Sequence, residues 1–350
     1  MTGPTIGNLQ LANPLVLAPL CDHSTIPLRR MCYEYGAALC HIPMVLCDAY
    51  AWNNLRTLDL IRIHESESPV GIQVCGKDPA SFGKAAADLA GRGYHLLDIN
   101  IACPAKKIVR RGRGGGMLRH WDLMAECLRA AVEAASIPVT AKIRGGYSED
   151  DTTYLDVGRL CEEVGIDAIT LHPRTVAQGY SGQADWSMIG RLKREVSIPV
   201  FGSGDVRHWS APARMLRETG CDGVSIARGA IGSPWIFKQA LEHLATGKRP
   251  APVTLGERKR ALRRHMDLMV ETFGEARACV QFRKFVVYYS KQLPWHKEMR
   301  VALGKVETLE EFNAKIDDFF ARLPEDADPE EVDESLRLQT EKSISMINDN

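Results

Sequence analysis

Eight short apolar runs recur through the first 230 residues: Leu15–Leu20, Leu39–Met44, Val70–Cys75, Leu96–Asn100, Val139–Ile143, Ala168–His172, Val200–Ser203 and Gly223–Ala227. Runs this short, bounded by turn residues, suit strands covered on both faces. Most are separated by segments of helical period. Ser81–Arg92 repeats Phe82, Ala85, Ala86 and Leu89; Leu123–Ala134 repeats Leu128, Ala131 and Val132; Tyr154–Val164 repeats Leu155, Val157, Leu160 and Cys161. Proline precedes Val70, Val139 and Val200, at strand starts where a missing N–H costs least. Gly36, Gly93, Gly165 and Gly220 fall where helices end, as C-terminal caps do. Eight strand–helix units joined right-handedly close into a (β/α)8 TIM barrel. An open doubly wound sheet is disfavoured, because no GxGxxG follows the first strand.

Past Leu244 the pattern changes. Gly247–Pro252 reads as a linker, and helical spacing then links Leu262, His265, Met266, Met269, Val270 and Phe273. It continues in Phe282, Phe285, Val286 and Tyr289, and in Leu309, Phe312, Ile316, Phe319 and Phe320. The expected organisation is a catalytic barrel over 1–244, a small all-helical C-terminal domain over 245–323, and an acidic, partly disordered tail over 324–350. The helical domain carries Arg258, Lys259, Arg260, Arg263, Arg264, Arg283 and Lys284, expected on outward faces. Net charge is zero, so a nucleic-acid partner follows only from such local clusters. The ten cysteines include no CxxC pair, which excludes the usual zinc and iron–sulfur spacings and fits reduced, mostly buried thiols. With neither a signal-like start nor an apolar stretch of about 20 residues, a cytoplasmic location and no membrane partner are expected.

In a barrel all strand ends meet at one mouth. In order they carry Pro19, Leu20 and Cys21; Met44; Gln73; Asn100 with Cys103; Lys142 with Arg144; His172 with Arg174; Ser203, Gly204 and Asp205; and Ala227, Arg228 and Gly229. Alone, a strand-end lysine is ordinarily a salt-bridge partner and a histidine a structural residue. Their convergence argues for a site. Glycine turns after the seventh and eighth strands, with Arg228 and a helix start near Gly232–Ile236, suit a phosphate-bearing cofactor. Gln73 can satisfy the edge of a pyrimidine-like ring, joined by His172, and Lys142 can stabilise negative charge on a reduced flavin. This favours flavin mononucleotide (FMN) over a nicotinamide as the tightly held group. Cys103, stiffened by Pro104, precedes Lys106, Lys107, Arg110, Arg111 and Arg113. One thiol and five cations within eleven residues point to acid chemistry on a polyanion. Gly112–Gly116 lacks the GK[ST] of a P-loop, and its glycines are expected to let the backbone pass close to a ligand or phosphate chain. Three other readings stay open: a flavin barrel for a small molecule, a Schiff-base aldolase using Lys142, and a non-catalytic RNA-binding barrel.

The combination of LAPL, QVCG around Gln73, DINIACPAKKIVRRGRGGGML, AKIRGGY, ITLHPRT, GSGD and IARGA–PWIF resembles the dihydrouridine synthase family, closest to its bacterial B-type branch. The resemblance implies an FMN enzyme that reduces the C5=C6 bond of a flipped-out uridine in RNA, tRNA before rRNA, with NADPH as transient reductant. It implies a monomer with Cys103 as the catalytic acid. Lys142 and His172 would contact the flavin, Pro19–Cys21 and Gln73 would flank its ring, and Ser203–Asp205, Ala227 and Arg228 would hold its phosphate. Asn100 and Arg174 would face the uracil, while Lys106, Lys107, Arg110, Arg283 and Lys284 would grip RNA. The chain departs from the family pattern at Leu20-Cys21-Asp22, Pro43, Ala102 and Ser203, mostly on the substrate side.

Overall fold

A computed structural model describes residues 2–51, 55–291 and 293–328. A two-residue hairpin, β1 (Thr5–Ile6) and β2 (Leu9–Gln10), leads into a closed parallel barrel. Its strands are β3 (Leu15–Leu17), β4 (Leu39–Leu46), β5 (Val70–Cys75), β6 (Leu96–Asn100), β7 (Val139–Arg144), β8 (Ala168–His172), β9 (Val200–Ser203) and β10 (Gly223–Ile226). β10 pairs back onto β3, so no edge is left open. The expected barrel is present, and each strand falls within its expected apolar run to within three residues at either end.

Side chains alternate inward and outward along each strand, and the inward set changes character with height. At the bottom, Val16, Leu39, Leu96, Ala168 and Phe201 pack with Ile6 and Leu11 of the N-terminal segment, which plugs that end. Fully burying a side chain such as Ile6 or Leu11 contributes about 1.5–3 kcal/mol. One level up the interior turns polar, and His41, Thr140 and Thr170 line a cavity of about 10 Å³ with the apolar layer below. Above it lie Gln73, Asn100, Lys142, His172 and Ser203 at the C-terminal strand ends. β4 shifts register against β5 between Ile42 and Val45. Pro43, one of the departures noted above, sits in that bulge, where its missing N–H breaks the ladder.

The described residues divide into two compact units, those up to Ala230 with Ile236–Lys248, and Ile231–Trp235 with residues 249–328. The helix Ile236–Thr246 runs through the boundary expected at 244. The second unit is helical, with Leu255–Phe273, Glu275–Tyr289, His296–Leu303 and Leu309–Ala321. A capping box of Thr254 and Glu257 starts the first of these. Its buried stripe includes Leu262, His265, Met266 and Met269, as the periodicity predicts. Arg258 corrects the expectation of an outward cation: it is buried, 5.4 Å from the Trp235 ring centroid. The start of the expected tail is tied down, because Leu255 and Gly256 donate N–H bonds to Ala327 and Glu325 carbonyls. Residues 329–350 of that tail lie outside the described residues.

Candidate active site

β6 ends at Asn100, whose Oδ1 accepts the N–H groups of Ala102 (3.0 Å) and Cys103 (2.8 Å). This side-chain turn aims the half-buried Cys103 at the mouth. The glycine run that follows forms the 3-10 helix Gly114–Arg119. Gly114 has φ +54°, and a Cβ there would lie 2.8 Å from that of Cys103. At Gly115 a Cβ would come within 2.5 Å of Val176, and at Gly116 within 2.6 Å of the Val109 carbonyl. Gly114, Gly115 and Gly116 thus make close approaches to the protein's own chain. They let the chain pack on the cysteine loop itself, where the Gly115 N–H reaches the Cys103 carbonyl at 3.1 Å. Arg113 secures the segment through an ion pair with Asp48. Burial raises the Cys103 thiol above its ordinary pKa, while the Ala105 N–H and the nearby Arg144 charge act the other way. All ten cysteines are free, and eight are buried. Cys21, past the end of the first barrel strand, is exposed, and its thiol is raised by desolvation first and by Cys103 second.

A row of hydrogen bonds crosses the barrel beneath the cysteine. Gln73, 1% exposed, donates from Nε2 to Asp98 (2.6 Å) and accepts at Oε1 from Asn100 (2.7 Å). Asp98 also accepts from Thr140 Oγ1 at 2.7 Å. Lys142 lies beside Asn100 in register. Desolvation lowers its pKa to about 8, with Asp98 raising and Arg144 further lowering it. His172 is pushed down to about 2 by burial and then by Lys142 and Arg144, so its ring is neutral at physiological pH. Its Nδ1 sits 3.5 Å from the Ser203 carbonyl.

On the opposite rim, Gly204 takes φ +109°, and a Cβ there would fall 2.8 Å from His172 Nδ1. Only glycine fits this approach. The Asp205 carboxylate faces inward to the protein, bonded to Arg174 Nη2 (2.7 Å) and the Ala184 N–H (2.8 Å). Its carboxylate thus holds the turn together from within, leaving Arg228 exposed after β10. Arg174, 2% exposed, also donates to the Ser181 (2.9 Å) and Gly182 (2.6 Å) carbonyls. Only its buried Nη1 lacks a partner, so little of the guanidinium is left for the expected uracil contact. Pro19 and Leu20 are half-buried after β3. The Leu20 N–H donates to Ser24, whose carbonyl accepts from Arg29 of the buried Arg29–Glu67 pair.

Two residues outside the expected site set, Arg144 and Tyr180, also shape the mouth. Arg144 is buried and reaches three carbonyls: Ala102 at 2.6 Å, and Thr175 and Gly179 each at 2.8 Å. It thus ties the cysteine loop to the loop after β8. Tyr180 in that loop is 59% exposed, with Arg228 4.7 Å and Arg144 5.5 Å from its ring centroid. Lys106, Lys107, Arg110 and Arg111 are exposed beside the cysteine and pair with no carboxylate among the described residues. In the helical unit, Arg283 is exposed and bonded to the Val306 carbonyl, while Lys284 lies 5.2 Å from the Phe285 ring centroid. No group of acidic, histidine or cysteine residues among those described could hold a metal ion, and no described helix is long and apolar enough to cross a membrane.

A closed barrel with a thiol, a lysine and glycine turns around one mouth defines a TIM-barrel enzyme. The same fold occurs in histamine dehydrogenase from Rhizobium sp. 4-9, with a TM-score of 0.52 and 14% identity over 76% of this chain and 50% of that one. It recurs in a 2-naphthoyl-CoA reductase, with a TM-score of 0.54 and 11% identity over 69% of this chain and 51% of that one. The chain thus spans about half of these structures, and the likeness is one of fold alone. Sequence similarity goes further, because the family described as dihydrouridine synthase (Dus) matches residues 16–323. The chain belongs to the dihydrouridine synthase family, as the motif resemblance implied. It is 36% identical over 323 residues to tRNA-dihydrouridine synthase B of Pseudomonas putida, covering 92% of this chain and 95% of that protein. A probable tRNA-dihydrouridine synthase of Mycobacterium tuberculosis is 35% identical over 333 residues, 91% of this chain and 85% of that protein. Family membership sets aside the aldolase and the non-catalytic barrel.

Proposed function

We propose that this chain is a B-type tRNA-dihydrouridine synthase, with FMN as its bound cofactor, NADPH as reductant and Cys103 as the acid. The reading rests above all on a raised, half-buried thiol at the mouth that also holds Lys142 and the Gly204 and Arg228 turns. These residues fit a flavin phosphate and ring: the turns offer unhindered amides and a guanidinium, and Lys142 a cation beside the mouth. When bound, the reduced flavin supplies hydride to C6 of the uracil.

The chain's own part is the proton. Conjugation with the C4 carbonyl makes C5 the atom that must be protonated. Cys103 gives its proton to C5, a general-acid step of the kind that contributes about 10²–10⁴-fold. Burial keeps the sulfur protonated at neutral pH, and the Arg144 charge eases formation of the thiolate once the proton has left. Lys142 stabilises negative charge developing at the mouth. A stacked base cannot reach a barrel mouth, so the uridine is flipped out, and the exposed cations at Lys106–Arg111 hold its flanking phosphates. The enzyme acts as a cytoplasmic monomer.

Cys103→Ala tests this directly. The variant is expected to bind flavin and oxidise NADPH normally while losing dihydrouridine formation in tRNA by about 10²-fold or more. Wild-type product formation by this variant removes Cys103 from the mechanism.

A further inference from the structure

We propose that Asp98 is a positioning residue for the proton-transfer step: its carboxylate anchors the Gln73 end of the amide pair that holds the Cys103 loop, and it supplies the counter-charge for Lys142. The proposal rests on the reading of Cys103 as the acid and goes beyond it.

An ionised carboxylate only accepts, whereas a primary amide can turn either end toward a neighbour. With Asp98 ionised, Thr140 Oγ1 and Gln73 Nε2 must both donate to it, at 2.7 and 2.6 Å. The Gln73 carbonyl is then turned to Asn100, which must answer with Nδ2 at 2.7 Å. That leaves Asn100 Oδ1 for the N–H groups of Ala102 and Cys103. The far end demands the same direction, because backbone N–H groups only donate. The carboxylate on β6 and the backbone donors of the cysteine loop therefore agree on one direction, and the two amides are held between them. A neutral side chain at 98 keeps an acceptor for Gln73 but loses the charge that strengthens this bond and that faces Lys142.

The same carboxylate faces several ionisable groups. His41 on β4 and Lys142 on β7 both act on it, and Lys142 in turn faces Arg144 and His172. Burial raises the Asp98 pKa, while His41, Gln73, Thr140 and Lys142 lower it. Asp98 is in turn the group that raises Lys142 against desolvation and Arg144. Losing the carboxylate therefore lowers the Lys142 pKa from about 8.

The test uses the full-length, flavin-loaded enzyme with tRNA, comparing wild type, Asp98→Asn and Thr140→Val. For Asp98→Asn, kcat for dihydrouridine formation is expected to fall about 10-fold, as weakening a charge-assisted hydrogen bond and removing the counter-charge of Lys142 would give, with KM for tRNA little changed. Its alkaline limb should move to lower pH. Competitive acetylation of Lys142, read by mass spectrometry, should give a lower midpoint in the variant than in wild type, because the counter-charge that raises Lys142 is gone. Thr140→Val keeps the charge but removes a donor to the carboxylate. Its acid limb should move to higher pH, because Asp98 now protonates more readily, and this near-isosteric change serves if Asp98→Asn fails to fold. An unmoved Lys142 midpoint in Asp98→Asn, or an unmoved acid limb in Thr140→Val, overturns the proposal. Cys103→Ala with normal product overturns instead the reading beneath it.

Discussion

Two stretches of this protein look alike on paper, the KKIVRRGR segment behind Cys103 and the basic helix Leu255–Phe273, and the structure separates them. On the helix the cations are largely answered. Lys259 and Arg263 both reach Asp317, at 2.7 and 2.6 Å, and Arg260 lies 3.5 Å from Glu325. Behind Cys103, Lys106, Lys107, Arg110 and Arg111 stand exposed with no carboxylate partner among the described residues. A count of charges therefore overstates the helical unit and understates the barrel loop. Unanswered charge is what attracts phosphate, since neutralised cations release no counterions from RNA.

The sharpest break of that comparison replaces Lys106, Lys107, Arg110 and Arg111 with alanine. Affinity for tRNA is expected to fall roughly 100-fold at physiological salt, and the slope of log K against log[salt] to flatten by about three. Lys259→Ala with Arg263→Ala should leave that slope within about one of wild type. Filter binding across a salt series reads both, and equal effects would erase the distinction drawn between the two stretches.

Next in size is Gly114→Ala. A left-handed alanine whose Cβ meets that of Cys103 costs about 1–3 kcal/mol. The thermal midpoint should drop by a few degrees, about 2–4 °C per kcal/mol for a chain of this size. The kcat for uridine reduction should fall with it while tRNA affinity holds, because the cations are untouched. A loss of affinity instead would mean that the glycine run shapes the RNA contact.

The two units also differ in where their buried histidines sit. In the helical unit His265 is buried, 3.1 Å from Tyr289 Oη and 4.5 Å from the Phe285 ring centroid. Burial first and Lys284 second lower its pKa to about 3. The unfolded chain binds that proton near pH 6.5, so stability is whole above 6.5 and is lost as pH falls toward 3. The loss is about 1.4 kcal/mol per pH unit over that window. Urea titrations at pH 7 and 5.5 should show it, and His265→Phe should reduce it. His172 in the barrel adds a dependence of the same sign, so the variant flattens the response without abolishing it.

The barrel was legible in the sequence because parallel strands buried on both faces leave uninterrupted apolar runs, with proline at three of the starts. The hairpin was not, since strands of two residues have no period. Its one signal was Gly7-Asn8 between Ile6 and Leu9, a two-residue hairpin loop. The motifs picked out Cys103, Gln73 and Lys142, but residue type alone does not say what a group touches. Asp98 went unassigned within an otherwise apolar strand, although a carboxylate there was itself the clue. Arg258 lies four residues before Leu262 on the buried stripe, so its burial was legible by spacing and masked by its charge. The direction of Asp205 and the pairing of Arg174 depend on loops that only the fold brings together.

The smallest expected effect tests the comparison from the opposite side. Lys259 and Arg263 hold the Asp317 carboxyl below its usual range, yet Asp317 is exposed, so solvent screens the pairs and they add little to stability. Asp317→Asn should leave the thermal midpoint nearly unmoved while freeing two cations. If pairing is what keeps this helix from competing for phosphate, tRNA affinity should rise slightly and the salt slope steepen by no more than about two. The sign matters more than the size. Neutralising the loop behind Cys103 weakens binding, whereas removing one carboxylate from the helical unit strengthens it. Weaker binding by Asp317→Asn would mean that the carboxylate itself orders a surface the RNA uses, and the contrast between answered and unanswered charge would have to be redrawn.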